Sequence, residues 1–365
     1  MSNELQIYFS LESVSDEYGG PIRSISRLQN MLRLEDLNAS IIHTALAPSA
    51  SDPYPEFNHV ITLWVGLPIL IGRVIAGKRS LVIFNNQWSF SVQILGFFCF
   101  ILRIPYIWWV RGVPSFRGSL KKWIVWHGSQ KWLMARAQTI IGSSSRSLDR
   151  IQCLLPKTDA NLIDIPNIVE CPEVVKGVSA TKPKLQNAFE INLISVGRFH
   201  RSKRVLELVE NCPLQIGNKN VRLTLVGYVP EPSYLNSIMT MAQKTNLNIL
   251  IKRDISDKEL IKLYEDSDIF ISLSKIENFG NAIGEALAYG LPVVVNEETD
   301  FWPTLDYAGV IVCSDSQVKG ALDRAVEFCE SRSLPARRRE FAMYWRHFSE
   351  KKYREFLDLC DSFKD

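Results

Sequence analysis

Residues 269–295 read IFISLSKIENFGNAIGEALAYGLPVVV, and this order of residue types predicts strand, loop, helix, strand. Residues 269–273 are a short, almost wholly apolar run. Gly290 and Pro292 stop the intervening helix before residues 293–295 begin a second buried strand. Glu277 lies in the connecting loop, Gly280 closes it, and Glu285 follows about one turn into the helix, so two carboxylates and the first helical amides converge on one crevice. Amides at a helix start bind phosphate oxygens, and carboxylates accept hydrogen bonds from sugar hydroxyls. The stretch therefore predicts a site for a polyhydroxylated anion.

Upstream, the apolar run 191–196 leads straight into Gly197-Arg198-Phe199-His200-Arg201-Ser202-Lys203-Arg204, and a helix with Val205, Leu206, Leu208 and Val209 follows. A glycine turn followed by cations at a helix start is a phosphate site on physical grounds. Arginine presents a two-pronged fork to phosphate oxygens, and lysine a compact point charge.

The string S-x-x-E-N-F-G-N-A-x-x-E-A-L-A-x-G-x-P-V-V, from Ser274 onward, resembles the E-x7-E signature of the family 4 (group 1) retaining glycosyltransferases. The resemblance spans most of the chain and is strongest in its second half. It implies a GT-B fold, in which two Rossmann-like α/β domains face each other and the nucleotide-sugar lies against the second. By resemblance Glu277 touches the transferred sugar and Glu285 the ribose, with Phe279, Gly280, Asn281 and Ala282 around the donor. Residues 197–204 resemble G-R-x-x-x-x-K-G, which gives Gly197 a place in the donor site and assigns the donor diphosphate to Arg198 and Lys203. Arg204 stands where the family has glycine. The nucleobase is expected near Arg253.

A chain of 365 residues with 46% apolar and 22% charged residues has the size and balance of two ordinary domains. The formal charge of +3 does not point to nucleic acid. Seven scattered cysteines, never at C-x-x-C spacing, suggest neither a disulfide framework nor a zinc site. The opening MSNELQIYFS lacks a basic flank and a long apolar core, so a cytoplasmic protein is expected.

In the first half, a β-rich run at 5–9, the Tyr18-Gly19-Gly20-Pro21 loop and the spacing of Ile22, Ile25, Leu28, Met31 and Leu32 predict strand, glycine loop, helix. By the resemblance, Gly19 and Gly20 face the cleft between the domains. Strands are expected at 40–44, 60–63, 81–84, 106–110 and 135–142, alternating with helices, which predicts a parallel doubly wound sheet with ligands beyond the carboxyl ends of its strands. That rule brings Asn85, Asn86, Gln87, Arg111 and Gly112 to a ligand-facing edge. Many family members carry His-Gly where this chain has Arg111-Gly112. Arg111 can serve a phosphate or acidic sugar of the donor, or act as a structural arginine.

Residues 60–76 and 90–109 are strongly apolar but interrupted by Pro68, Arg73, Arg103 and Pro105, so neither supplies the ~20 clean residues of a spanning helix. Buried strands and helices are expected there. Lys121, Lys122, Trp123, Lys131 and Trp132 mix cations with tryptophans, a combination that suits a membrane surface and equally core tryptophans beside a solvated lysine face. Ser143-Ser144-Ser145 is expected to cap a helix. Residues 163–167, IDIPN, resemble the close of the family's first domain, which sets domains at 1–170 and 171–344 with the proline- and lysine-bearing stretch 171–185 as linker. A helix over 341–363 is expected to cross back onto the first domain, from about residue 345, through Trp345, Phe348, Tyr353 and Phe356.

Asp266-Ser267-Asp268 spells a metal-binding D-x-D, but its place between a helix end and a buried strand favours a structural role. The resemblance thus implies a metal-independent, retaining transferase without a cofactor. It would move a sugar from a nucleotide-sugar donor to a glycan or polyprenyl-linked acceptor, in bacterial surface polysaccharide synthesis; the protein is expected in the cytoplasm, either free or, by its lysine–tryptophan segment, on the inner face of the membrane. A non-catalytic nucleotide-sugar-binding subunit and a nucleotide-sugar epimerase on the same fold are the competing expectations.

Overall fold

The computed structural model describes residues 5–11, 20–35, 37–43, 60–85, 88–112, 119–171, 189–275 and 277–364. Gly19, Tyr18, Asn86, Gln87 and most of the expected linker fall outside them. The chain divides into two compact units, Met1–Ile168 with Ser349–Asp365, and Val169–Phe348.

The first unit runs β1 (Gln6–Leu11), α1 (Gly20–Leu34), β2 (Asn38–His43), β3 (Val60–Thr62), α2 (Leu63–Ile75), β4 (Ser80–Phe84) and α3 (Phe90–Ile101). It continues through β5 (Tyr106–Trp109), α4 (Leu120–Val125), a π-helical turn Trp126–Gln130, α5 (Lys131–Met134), β6 (Thr139–Gly142), α6 (Ser145–Leu154) and β7 (Asn161–Asp164). The strands form one parallel sheet in the order β3-β2-β1-β4-β5-β6-β7. Its strands are apolar on both faces, as a sheet covered on both sides requires. Ile7, Phe9, Leu81 and Ile83 pack with Ile25 and Leu28 of α1, while Tyr8, Val82 and Phe84 point to the opposite face, under α2, α3, α5 and α6.

The second unit runs β8 (Glu190–Val196), α7 (Val205–Asn211), β9 (Gln215–Ile216), β10 (Lys219–Val226), α8 (Pro232–Thr245), β11 (Asn248–Lys252) and α9 (Asp257–Glu265). Then come β12 (Ile269–Ser272), α10 (Asn281–Ala288), β13 (Val293–Asn296), β14 (Val310–Cys313), α11 (Val318–Ser331) and α12 (Leu334–Asp361), whose residues from Ser349 onward belong to the first unit. Its parallel order is β11-β10-β8-β12-β13-β14, with the short β9 antiparallel on β10. Numbered within the unit the six parallel strands read 3-2-1-4-5-6, so the winding reverses between β8 and β12. In such sheets a crevice opens beyond the carboxyl ends of the two strands flanking the reversal, and ligands bind there.

Ser144 caps α6 through Ser147, its Oγ accepting from the Ser147 N–H at 3.1 Å. Asp266 closes α9, and Asp268 is a structural acceptor, its Oδ2 taking the Asn192 N–H at 2.9 Å.

Three expectations need correction. Of the expected strand 135–142 only Thr139–Gly142 is strand. Ala135 to Ala137 finish a helix, with the N–H groups of Arg136 and Ala137 bonded to Leu133 and Met134 carbonyls, and a short apolar run carries no period that separates the two states. The apolar helices α2 and α3 are not buried all round: Trp64, Ile75, Phe90 and Ile101 are 60–81% exposed. The stripe on α12 serves two cores, with Trp345 and Phe348 in the second unit's aromatic cluster and only Tyr353 and Phe356 packing in the first unit.

Candidate functional site

The reversal between β8 and β12 places the loop after β8 beside the loop after β12. The first carries Gly197, Arg198, Lys203 and Arg204, and the second carries Glu277, Phe279 and Gly280, which were separated by some seventy to eighty residues in sequence. A pocket at this edge is lined by Gly197, Phe199, Lys203, Ser272 and Glu277, and Lys203 Nζ donates to Glu277 Oε1 across it. Arg198 is exposed one residue beyond Gly197.

The β8 loop is shaped by its neighbour. Gly197 and Phe199 donate backbone N–H bonds to Val226 and Tyr228, and Gly227 approaches so closely that a Cβ there would lie 1.9 Å from the Gly197 carbonyl oxygen. Glycine at 227 is thus a steric requirement of the site. Arg204 stands in the left-handed region at φ 54°, the conformation a glycine adopts without cost. Its guanidinium reaches Asp315 through two bonds of 2.8 and 2.7 Å and the Leu273 carbonyl at 3.3 Å, while Asn296 Nδ2 donates to the same Asp315 at 3.1 Å. The Arg204–Asp315 pair therefore ties the carboxyl ends of β8, β12, β13 and β14 together. The bond to Asp315 raises the Arg204 pKa and lowers that of Asp315.

The Glu277 loop is clasped by the segment after β13. Asp300 N–H donates to the Glu277 carbonyl at 3.0 Å, Thr299 Oγ1 to the Ser274 carbonyl at 2.9 Å, and Trp302 Nε1 to the Gly280 carbonyl at 3.3 Å. Gly280, at φ 76°, turns the chain into α10, where a Cβ would meet Ile283 Cδ1 at 2.8 Å. The helix's own bonds begin at the Ile283 N–H, so the Asn281 and Ala282 amides lie ahead of the ladder at its positive end.

The Phe279 side chain, given to the donor by the resemblance, is core: it is buried with its ring centroid 4.7 Å from Phe301 and 5.1 Å from Trp302. Only its backbone is in a position to serve a ligand. Glu285 is half-buried on α10 and accepts from Tyr264 Oη at 3.4 Å. Arg253 is exposed just beyond β11, at the edge of the sheet.

In the first unit, Gly20 opens α1 and Gly19 lies outside the described residues. Arg111 follows β5 with Nε donating to Asn85 Oδ1 at 3.2 Å, Nη1 donating to Asn167 Oδ1, and its guanidinium carbon 4.2 Å from the Trp109 ring centre. Burial lowers its pKa to about 9, which leaves it cationic at neutral pH. Among the described residues no group of three or more His, Cys, Asp or Glu is placed to hold a metal ion.

Sequence reasoning missed Asp315, Asn296 and the Asp300–Trp302 clasp. Their signals were polar residues just past strand ends, at Asn296 and Asp315, on the edge the topology makes functional.

Solved structures similar over nearly the whole chain include Anabaena HepE in complex with UDP and glucose (TM-score 0.70, 17% identity, 98% of this chain and 99% of that one). The pneumococcal O-GlcNAc transferase GtfA, in complex with UDP and GlcNAc, aligns at TM-score 0.70 and 12% identity, covering 99% of both chains. Sucrose-phosphate synthase of Thermosynechococcus elongatus gives 0.68 and 16%, covering 98% and 100%. The fold is the GT-B fold, two Rossmann-like α/β domains in one chain. Residues 181–343 match the family model of glycosyl transferases group 1, a span that contains the whole β8–β12 site. The curated proteins contain no match to the chain.

Proposed function

We propose that the protein is a retaining, metal-independent glycosyltransferase of the family 4 type, which moves a sugar from a nucleoside-diphosphate sugar to a glycan or polyprenyl-linked acceptor in bacterial surface polysaccharide synthesis. The observation that carries this reading is the meeting of Lys203 and Glu277 at the β8–β12 reversal, inside the span that matches group 1 glycosyl transferases. The similar HepE and GtfA structures hold UDP with a sugar, which makes a UDP-sugar the first donor to test.

In this mechanism Arg198 and Lys203 hold the diphosphate, with Gly197 allowing close approach and the Asn281 and Ala282 amides of α10 adding positive potential. Negative charge gathers on the diphosphate as the glycosidic bond breaks, and these fixed cations and dipoles meet it without reorganising. Glu277 orients the sugar hydroxyls, Glu285 holds the ribose, and Arg253 flanks the base. Lys203 Nζ donates to Glu277 Oε1, and a donor phosphate competes with that carboxylate for the lysine, which leaves Glu277 to the sugar.

Thermal shifts with UDP, GDP and ADP identify the base, since a ligand that binds only the folded state raises the melting temperature by mass action. Donor hydrolysis or transfer by purified protein then separates an enzyme from a binding subunit, and an epimerised sugar detected by NMR would overturn the transfer reaction. Lys203→Ala and Arg198→Ala are each expected to lower turnover by about 10²- to 10³-fold, with activity retained in EDTA. Undiminished turnover in both variants, or activity lost in EDTA and restored by Mn²⁺, would overturn the assignment.

A further inference from the structure

The helical layer of α2, α3, α4 and α5 on the first sheet exposes apolar side chains and cations but no acid. From residue 57 to residue 148 the chain contains no Asp or Glu and eleven Lys or Arg. Trp64, Pro68 and Ile75 recur along the outer face of α2, and Phe90, Phe97 and Ile101 at the same helical spacing along the outer face of α3. Trp64 is 60%, Ile75 81%, Phe90 68% and Ile101 70% exposed. The face continues onto α5, where the Trp132 ring lies 5.6 Å from Phe97 and 4.7 Å from Phe100, and onto α4 through the half-exposed Trp123. Exposed Lys121, Lys131 and Arg136 border it, with the Arg136 guanidinium 4.2 Å from the Trp132 ring centre. The remaining helix on the same side of the sheet provides an internal contrast, since α6 turns Arg146, Asp149, Arg150 and Gln152 to solvent.

We infer that this layer docks on an anionic phospholipid bilayer. No helix among the described residues is long and apolar enough to cross a membrane, so α2 and α3 would lie in its plane. Apolar side chains would enter the acyl boundary, the tryptophans would sit at headgroup level, and the bordering cations would meet lipid phosphates. Charge decides among occupants. A two-fold contact with a second copy would press an acid-free basic surface against itself, which is repulsive, whereas an anionic bilayer offers the opposite charge.

The test is sedimentation of the full chain with phosphatidylcholine vesicles, with and without phosphatidylglycerol. The bound fraction is expected to rise about tenfold with the anionic lipid and to fall on adding salt. The triple variant Trp64→Gln, Ile75→Gln, Phe90→Gln and the double variant Lys121→Glu, Lys131→Glu should each cut it several-fold, with the melting temperature and the UDP-induced shift unchanged. Equal binding to both vesicles, or none, would overturn the inference. So would a lipid-free dimer that the triple variant splits, or capture by polyglutamate without capture by vesicles. Vesicle binding that persists without a shift from UDP, GDP or ADP would instead fault the donor-site reading alone.

Discussion

Arg204 in the second unit and Arg111 in the first both lie beyond the carboxyl end of a parallel strand, and their surroundings drive them in opposite directions. Arg204 is half-buried and forked onto the Asp315 carboxylate, which raises its pKa. Arg111 donates to two amide oxygens and stacks on Trp109, and burial lowers its pKa to about 9. Amides orient a guanidinium without neutralising it, whereas a carboxylate does both. The first arrangement fixes a loop, and the second holds a cation in place at some cost in solvation.

The largest expected effect lies in the loop that Arg204 steadies. Glu277→Gln should lower kcat by about 10²-fold with a smaller change in KM, because orienting the sugar matters most in the transition state. Glu285→Gln should do the reverse, raising KM, as loss of a contact made equally in ground and transition states requires. Steady-state kinetics of the two variants check this, and equal effects on kcat would merge their roles.

Next comes the ion pair itself. Asp315→Asn leaves the left-handed arginine with only the weaker Glu207 contact, Arg204 Nε to Glu207 Oε1 at 3.3 Å, and should cost about 1 kcal/mol, a charged hydrogen bond discounted for solvent exposure. The folded pKa of Asp315 is depressed, so its contribution is fully present above the ordinary aspartate value of 3.8 and is lost as pH falls through the lower folded value. Melting curves of wild type and Asp315→Asn should therefore be separated at neutral pH and converge in strong acid. A gap that persists in acid would remove electrostatics from the explanation.

Arg204→Gly should have a smaller effect, within about 0.5 kcal/mol, since relief of the left-handed backbone offsets the lost bonds. Smallest of all is the expected change in melting temperature for Arg111→Met, where removing a buried cation returns its solvation cost. A loss as large as that of Asp315→Asn would break the contrast between the two arginines.

The sequence made the elements legible wherever glycine or proline punctuates an apolar run, as at Gly197, Gly280 and Pro292. The two halves of the candidate site could be read separately, because each motif is local. Their meeting was legible only through a resemblance, since nothing in residues 197–204 records that β12 pairs with β8. The Arg204–Asp315 pair spans 111 positions and belongs to no local pattern. The Phe279 ring was misread for a related reason: it belongs to a core built by Phe301, Trp302 and Trp345 from later in the chain. On α12 the stripe has one helical period throughout, and the period does not say where one core ends and the next begins.

The left-handed arginine also gives the two positions a shared history. Asp315 has a guanidinium to hold only while residue 204 is arginine, so in an Arg204→Gly background Asp315→Asn should be nearly silent, and the double-mutant cycle should return a coupling close to the whole cost of the aspartate change. Substitution at these sites is then order-dependent. A lineage can drop the arginine first and drift freely at 315 afterwards, but the reverse order passes through a strained and weaker protein, so sequences bearing Arg204 are expected to keep an acid at 315.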